Sequence, residues 1–205
     1  MASPEEIARP LIDYLQQRLA ENKRPVYVAL DGRSGAGKST LAAAVAEALG
    51  QEIVTVIEGD QFYGGGSSAT WDAKSTAEKV DGVIDWRRQR ELIIALKQDG
   101  VAEWHTFDWE SDDWDADAIP LSAEKICCTE TPVMLLEGAY SARPELAVLF
   151  DLRLLLHVPK EVRRAQLLAR EGDEYRSDWE ARWSAAEDYY FGELVPADRF
   201  DMVLG

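Results

Sequence analysis

The stretch Asp31-Gly-Arg-Ser-Gly-Ala-Gly-Lys-Ser-Thr40 decides the fold of this chain. It satisfies the pattern G-x-x-x-x-G-K-[S/T], with Gly32, Gly37, Lys38 and Ser39 at the fixed positions. Glycines let successive backbone N–H groups turn inward to form a nest for an anion, and a helix beginning near Lys38 adds the positive end of its dipole. The pattern therefore predicts a loop that binds the polyphosphate of a nucleoside triphosphate.

The flanks of this loop have the context that the pattern requires. The apolar run 26–30 predicts a strand before the loop, and the run 41–49 predicts a helix after it. We expect Lys38 to reach the β- and γ-phosphates of ATP, and the Ser39 hydroxyl to ligate Mg²⁺. The residues expected to contact ATP are Gly32, Ser34, Gly35, Ala36, Gly37, Lys38, Ser39 and Thr40.

Outward from the loop, apolar strand-like runs alternate with amphipathic helix-like runs. This alternation predicts an α/β fold, a parallel sheet with helices on both faces. Helices are expected at 4–22, 41–49, 85–98, 160–171 and 179–193, with Ser3 as the N-cap of the first. Strands are expected at 26–30, 52–58, 101–107, 124–129, 132–137, 152–158 and 201–204. The polar, glycine-rich segment 59–81 is expected to be a long loop.

Composition narrows the class of partner. The 205 residues carry a formal net charge of −16, whereas proteins that bind nucleic acid or anionic membranes present basic patches. We therefore expect neither partner, and ATP must be held by local positive potential. The two cysteines, Cys127 and Cys128, are interpreted as small apolar strand residues in a reducing compartment. Without a transmembrane-length apolar run or a signal-peptide pattern, the prediction is a cytoplasmic protein.

Two carboxylates follow predicted strands and could take part in chemistry. Asp60 comes just after the second strand, where an acid could orient an attacking hydroxyl or take its proton. Glu137 follows the apolar run 133–136, a pattern in which the carboxylate holds Mg²⁺ directly or through water. Each could instead be an ordinary residue at the end of a strand. The chain lacks an N-K-x-D motif for guanine and the Leu-Ser-Gly-Gly-Gln signature of transporter ATPases.

Taken together, these pieces resemble the uridine kinase and phosphoribulokinase group of P-loop kinases. The matching segments are 31–40, Gly59-Asp-Gln-Phe-Tyr63, Asp85-Trp-Arg-Arg88, Phe107-Asp-Trp109, Leu135-Leu-Glu-Gly-Ala139, and Val162-Arg-Arg through Arg170-Glu-Gly172. The resemblance implies a single P-loop kinase domain over 1–205, with an acceptor-side excursion at about 59–120 and a lid at about 163–180. It also implies that Asp60 acts on the acceptor hydroxyl and that Glu137 helps to hold Mg²⁺.

The resemblance assigns catalytic arginines to the lid and is weaker on the acceptor side. Arg163 and Arg170 match the first and last lid arginines, whereas Gln166 and Leu167 replace intermediate ones. The catalytic set is then Lys38, Asp60, Arg163 and Arg170. Residues 107–114 lack the histidine and arginine of the uridine pattern. The expected substrate-binding residues are Tyr63, Asp85, Asp108 and Trp109, since aromatic rings stack on flat bases or sugar faces.

The implied activity is transfer of the γ-phosphate of ATP, with Mg²⁺, to a hydroxyl of a small molecule, in the first place a nucleoside. One alternative is a kinase for another alcohol, such as a sugar, a pantothenate-like vitamin precursor or a secondary metabolite. Another alternative is an ATP-binding regulatory switch without an acceptor. The Asp60 element opposes the switch, because a switch needs no base at that position. The sequence permits a homo-oligomer without indicating one.

Overall fold

The computed structural model describes residues 2–21, 24–115, 118–171 and 177–205. The strands are β1 (Val26–Asp31), β2 (Val54–Glu58), β3 (Val101–Phe107), β4 (Leu121–Thr129), β5 (Val133–Glu137), β6 (Leu152–Leu156) and β7 (Met202–Leu204). The helices are α1 (Pro4–Glu21), α2 (Lys38–Leu49), α3 (Ser68–Ala73), α4 (Thr76–Gly82), α5 (Trp86–Asp99), α6 (Pro144–Ala147), α7 (Lys160–Glu171) and α8 (Ser177–Tyr189). A 3₁₀ turn covers Gly59–Phe62, and a π-helical segment, Tyr190–Leu194, continues α8.

Five strands form a parallel sheet in the order β2-β5-β1-β6-β7, which confirms the predicted α/β fold. All residues of β1 and β5 are buried, as expected of central strands covered on both faces. In the register of the sheet, Glu137 lies between Leu30 of β1 and Glu58 of β2. The carboxyl ends of these strands therefore meet at one edge, where the phosphate loop also begins.

Successive side chains of a strand point to opposite faces of the sheet, so the hydrophobic core consists of one cluster on each face. On β1, Val28 and Leu30 belong to the cluster that α1 and α2 cover, whereas Tyr27 and Ala29 belong to the opposite cluster. The first cluster includes Leu11 and other apolar residues of α1, which confirms that helix and its predicted amphipathic face. The opposite cluster includes residues of α5, the 59–62 turn and the π-helical segment.

The prediction of a long loop at 59–81 was wrong. After the 59–62 turn, this segment forms the short helices α3 and α4. Ser67 caps α3 and Ser75 caps α4, where Glu78 completes a capping box. The buried side chains of Trp71 and Val80 pack these helices against the core. Helices of six and seven residues are too short for a periodic apolar pattern, so tertiary packing rather than periodicity stabilises them.

The remaining strands also differ in detail from the prediction. β3 matches its predicted bounds, but it pairs antiparallel with β4 outside the parallel sheet. β4 begins at Leu121, three residues earlier than expected, and most of it is exposed or partly exposed, including Cys127. Within the described ranges, none of the helices combines the length and the apolarity needed to span a membrane.

Candidate active site

The predicted phosphate loop connects β1 to α2 at the carboxyl edge of the parallel sheet. Lys38 Nζ donates hydrogen bonds to the carbonyl oxygens of Gly32 (2.9 Å) and Arg33 (3.3 Å), so this side chain folds back across the loop. Helix α2 begins at Lys38, and its first N–H groups and positive dipole end face the same loop. The arrangement suits a bound polyphosphate.

Helix α7 packs directly onto this loop at Gly35. A Cβ atom at Gly35 would lie 2.6 Å from the Arg163 carbonyl oxygen and 2.7 Å from Leu167 Cγ, so only glycine permits this approach. The Arg163 side chain donates from Nη1 to the Ser34 carbonyl oxygen and from Nε to the Val158 carbonyl oxygen, both at 3.1 Å. The predicted lid arginine therefore holds α7 against the phosphate loop.

Only part of the predicted lid can be described. Arg170 is exposed near the end of α7 and lines a cavity beside the phosphate loop. Residues 172–176, which include Gly172 and Arg176, lie outside the described residues.

The two side chains predicted to hold Mg²⁺ are in contact. Ser39 Oγ donates a hydrogen bond to Glu137 Oε1 at 3.0 Å. Burial raises the pKa of Glu137, the nearby Lys38 ammonium opposes that rise, and the Asp60 carboxylate adds to it. A hydroxyl and a carboxylate are oxygen ligands of the kind that Mg²⁺ binds together with substrate phosphates. The pair therefore fits the ion that the sequence predicts.

The turn that carries Asp60 lies against the end of β5 because two glycines meet there. A Cβ atom at Gly59 would lie 2.8 Å from the Glu137 carbonyl oxygen, and one at Gly138 would lie 3.1 Å from Gly59 Cα. A side chain at either position would push the two segments apart. Asp60 is exposed in this turn, and its charge acts on the Glu137 carboxyl. Both predicted carboxylates therefore lie beside the phosphate loop.

Asp31, the last residue of β1, organises the base of the loop. Its fully buried carboxylate accepts hydrogen bonds from the N–H groups of Gly32 (2.7 Å), Tyr140 (2.9 Å) and Ala142 (2.9 Å), and from the Tyr190 hydroxyl (2.8 Å). Burial raises the pKa of Asp31 to about 6 although these donors oppose the rise. Sequence reasoning included Asp31 in the loop motif but missed this role, because three donors come from segments more than 100 residues away.

Glu187 is a second buried carboxylate that sequence reasoning missed. It lies on α8, accepts a hydrogen bond from the Ser34 N–H at 2.6 Å, and is within 4 Å of two guanidinium groups. These belong to Arg33, at 3.9 Å, and Arg163, at 3.7 Å. Two nearby cations compensate the charge of a carboxylate that would otherwise be costly to bury. No local motif marks Glu187, so the sequence offered no signal for it.

The aromatic residues predicted to bind the acceptor form one cluster. The rings of Tyr63 and Trp109 stack with centroids 5.2 Å apart and planes 20° apart. Phe107 and Trp114 meet Tyr63 edge to face, and Trp71 Nε1 donates a hydrogen bond to the Tyr63 hydroxyl at 2.7 Å. Trp109 remains 52% exposed. The cluster begins at Tyr63, the residue that directly follows the Asp60 turn.

The two acids predicted on the acceptor side make local hydrogen bonds. Asp85 is the N-cap of α5, and its side chain accepts from the N–H groups of Arg87 (3.2 Å) and Arg88 (3.3 Å). Asp108 accepts from the Glu110 N–H at 3.1 Å, which closes a short turn after β3. Both acids therefore support the backbone next to the aromatic cluster.

Helix α8 contacts both the phosphate loop and helix α3, which follows the Asp60 turn. Near its carboxyl end, Asp188 pairs with Arg33 of the phosphate loop at 2.5 Å. In its middle, Arg182 forms two hydrogen bonds to the Asp72 carboxylate of α3, at 2.5 and 2.8 Å. Trp183 packs on Trp71 with ring centroids 5.5 Å apart. One helix therefore touches both the phosphate loop and the segment after the Asp60 turn.

A cavity of about 900 Å³ opens on the other side of the phosphate loop. It is bordered by the start of α2, the segment between β6 and α7, the carboxyl-terminal residues of the chain and the first turns of α1. Its lining is mainly apolar and includes Thr40, Leu41, Pro159, Val162 and Leu204. Its position next to Gly37 and Thr40 places it at the end of the loop away from Asp60.

Comparison with solved structures supports the fold. A structure described as a possible uridine kinase from Bacillus stearothermophilus superposes with a TM-score of 0.68, at 21% identity, over 96% of this chain and 98% of the other. A candidate fructose transport system kinase from Silicibacter sp. TM1040 gives a TM-score of 0.67, at 22% identity, with the same shares covered.

Comparison of sequences identifies the family. A curated uridine kinase from Clostridium perfringens is 22% identical over 153 residues, which are 74% of this chain and 71% of the relative. The family model described as "Phosphoribulokinase / Uridine kinase family" matches residues 27–182, from β1 into α8. Membership of this family implies ATP as the phosphate donor. The chain therefore belongs to this family and is a P-loop kinase that phosphorylates a hydroxyl group.

Proposed function

We propose that the protein transfers the γ-phosphate of ATP to a hydroxyl group of a small molecule held between the Asp60 turn and the aromatic cluster. The observation that carries the proposal is the close contact of Gly59 with Gly138. This contact holds a carboxylate able to take a proton beside the Ser39–Glu137 pair and the phosphate loop.

In this proposal each group has one task. Asp60 orients the acceptor hydroxyl and takes its proton as the new bond to phosphorus forms. Lys38 stabilises negative charge on the transferring phosphoryl group, and Arg163 keeps α7 on the loop. Mg²⁺, which Ser39 and Glu137 would hold, neutralises phosphate charge when bound. The apolar cavity of about 900 Å³ beyond Thr40 accommodates the adenosine portion of ATP.

The first acceptor class to test is a nucleoside, because the curated relative is named uridine kinase. A sugar is the second, because a structural neighbour is described as a fructose transport system kinase. The stacked Tyr63 and Trp109 rings suit either, since an aromatic face packs on a flat base or on the apolar face of a sugar. The cytoplasmic location expected from the sequence stays a prediction.

The deciding experiment is an acceptor screen for ADP release, followed by the substitution Asp60→Asn. The amide cannot take the proton, so turnover should fall about 10³-fold while the affinity for ATP is unchanged. Asp112→Asn, an exposed acid in the loop after β3, is the matched control and should leave turnover unchanged. Unchanged turnover in Asp60→Asn would remove Asp60 from the proposed mechanism, and ADP release that no acceptor stimulates would contradict the proposed reaction.

A further inference from the structure

Ser34 of the phosphate loop has both of its backbone polar groups held by side chains from outside the loop. Its N–H donates a hydrogen bond to Glu187 Oε1 at 2.6 Å, and its carbonyl oxygen accepts one from Arg163 Nη1 at 3.1 Å. Glu187 Oε2 lies 3.7 Å from the same Arg163 nitrogen. The three residues, called here the Ser34 network, therefore form a closed circuit of contacts around one residue of the loop.

The Ser34 network is largely shielded from water. Glu187 is 3% exposed, and the Arg163 side chain is 12% exposed. A second guanidinium group, that of Arg33, lies 3.9 Å from Glu187 Oε2. Hydrogen bonds between charged groups strengthen in such surroundings, and removal of one partner leaves the others buried without compensation. The network should therefore fix the backbone at Ser34 more firmly than an exposed ion pair could.

The helical turn that carries the Glu187 carboxylate also contacts the preceding residues of the loop. The Tyr190 hydroxyl donates a hydrogen bond to Asp31 Oδ2 at 2.8 Å, and Asp188 pairs with Arg33 at 2.5 Å. The π-helical segment begins at Tyr190, and segments of this kind occur frequently at functional sites. The end of α8 and this segment therefore hold the first part of the phosphate loop at several points.

The N–H groups of the loop divide into two sets. An N–H group carries one hydrogen, so the Ser34 N–H that binds Glu187 cannot serve a phosphate oxygen at full strength. The N–H groups of Lys38 and Ser39 open helix α2, and the first N–H groups of a helix have no partner within it. The first set therefore fixes the loop, and the second is available to an anion.

We propose that Glu187 is a positioning residue for phosphoryl transfer, which holds Ser34 together with Arg163 so that the following N–H groups face the β- and γ-phosphates of ATP. This inference rests on the proposed kinase function and concerns how ATP is held. The Ser34 N–H stays with Glu187 in the free and in the ATP-bound protein. Ser34, expected from the sequence to contact ATP, thus supports the loop and does not donate its N–H to phosphate. Donors fixed in advance need no reorganisation when charge develops.

The partner of the Ser34 N–H can be tested in the unmodified protein by NMR spectroscopy of the backbone amides, with and without Mg²⁺ and ADP. We expect the Ser34 amide to exchange slowly with solvent in the free protein and its signal to stay in place when ADP binds. The signals of Lys38 and Ser39 should move, because phosphate reaches their N–H groups. A movement of the Ser34 signal as large as that of Lys38 would overturn the proposal, since phosphate would then have displaced Glu187.

The role of the carboxylate is tested with Glu187→Gln, which keeps an oxygen for the Ser34 N–H but loses the charge that pairs with Arg163. Titration calorimetry gives the Kd of ADP and of AMP, which lacks the β-phosphate. We expect about a tenfold higher Kd for ADP and an unchanged Kd for AMP. Glu193→Gln, the same change at an exposed position of the π-helical segment, should alter neither value. A fraction of unfolded protein lowers the number of binding sites but not the ratio of the two Kd values.

A double-mutant cycle tests whether Glu187 and Arg163 act through the same residue. The variants are Glu187→Gln, Arg163→Met and the two combined, and the Kd of ADP is measured for each. Because either single change already breaks the Ser34 network, the combined loss of affinity should be smaller than the product of the single losses. Losses that multiply would show two independent contacts and would overturn the proposed network.

The outcomes separate this inference from the proposed function. A preference for ADP over AMP that persists unchanged in Glu187→Gln would overturn the positioning role and leave the kinase proposal intact. Equal affinity of the unmodified protein for ADP and AMP would mean that the loop holds no β-phosphate, and would overturn the proposed use of ATP and this inference together.

Discussion

The proposed donor and acceptor halves of the site are built from different structural elements. The donor half consists of backbone at the ends of β1 and β5 and of a few side chains fixed by short contacts, such as Ser39 to Glu137 at 3.0 Å. The acceptor half consists of large side chains on a 3₁₀ turn, two short helices and a two-stranded sheet, with Trp109 52% exposed. Such a division lets a family keep one phosphoryl-transfer apparatus while the acceptor changes.

The largest effect is expected in the donor half, from Lys38→Met. The substitution removes the cation proposed to stabilise the transferring phosphoryl group, so kcat/KM should fall about 10³-fold with any acceptor. ADP release measures the loss, and Lys125→Met, on the exposed strand β4, serves as the control. If Lys38→Met kept more than about a tenth of the activity, the donor half would not be where this charge is stabilised.

The next effect tests the metal pair. Glu137→Gln can still accept the Ser39 hydrogen bond but lacks the negative charge, so we expect about a 100-fold lower kcat and a higher Mg²⁺ requirement. A Mg²⁺ titration of turnover checks this expectation, with Glu103→Gln of β3 as a surface control. An unchanged Mg²⁺ requirement would mean that Glu137 serves the fold rather than the ion.

Asp31 should make the free energy of unfolding of the protein depend on pH. Burial raises its pKa to about 6, above the 3.8 of the reference carboxyl, so between these values the folded protein binds more protons than the unfolded chain. The contribution of Asp31 to the free energy of unfolding therefore falls as pH rises from about 4 through about 6, by on the order of 3 kcal/mol.

Urea denaturation of the unmodified protein and of Asp31→Asn across this pH range measures that effect. The free energy of unfolding of the unmodified protein, relative to the variant, should decrease with rising pH and then level off above about pH 7. Parallel pH profiles of the two proteins would show that Asp31 does not titrate on unfolding.

The smallest effect is expected in the acceptor half, from Trp109→Ala. Loss of the ring that stacks on Tyr63 should raise the KM for the acceptor about tenfold, a loss typical of one aromatic contact, and leave the KM for ATP unchanged. Trp109→Phe should preserve most of the affinity. An equal rise in both KM values would indicate that Trp109 supports the whole site instead of the acceptor alone.

The same division explains what could be predicted from sequence. Lys38 and Ser39 occupy fixed positions in a local pattern, and Glu137 follows a buried strand, so their roles could be proposed without a structure. Glu187 contacts the N–H of Ser34, 153 residues earlier in sequence, and Tyr190 contacts Asp31 across 159 residues. No spacing rule applies over such distances, because tertiary folding alone brings the residues together.

In the segment proposed to bind the acceptor, the structure could not be predicted from the sequence for a different reason. Helices α3 and α4 are stabilised by capping serines and by buried Trp71 rather than by a periodic face, so the segment resembled a loop. Arg88 belonged to a matching motif, but only its surroundings show that one guanidinium nitrogen lacks a partner. These surroundings include Phe62 and His105, which approach from two other elements.

The double attachment of α8 has a consequence for engineering. Glu187 and Asp188 bind the phosphate loop, and Arg182 binds Asp72. The proposed acceptor segment therefore should not function when it is transferred to a relative without α8. A transplanted segment 59–120 would arrive without the arginine that anchors its first helix. Chimaeras that also exchange α8 should preserve the distance between the bound ATP and the acceptor. Chimaeras that retain the original α8 should bind both ligands but hold them at the wrong distance or orientation for transfer.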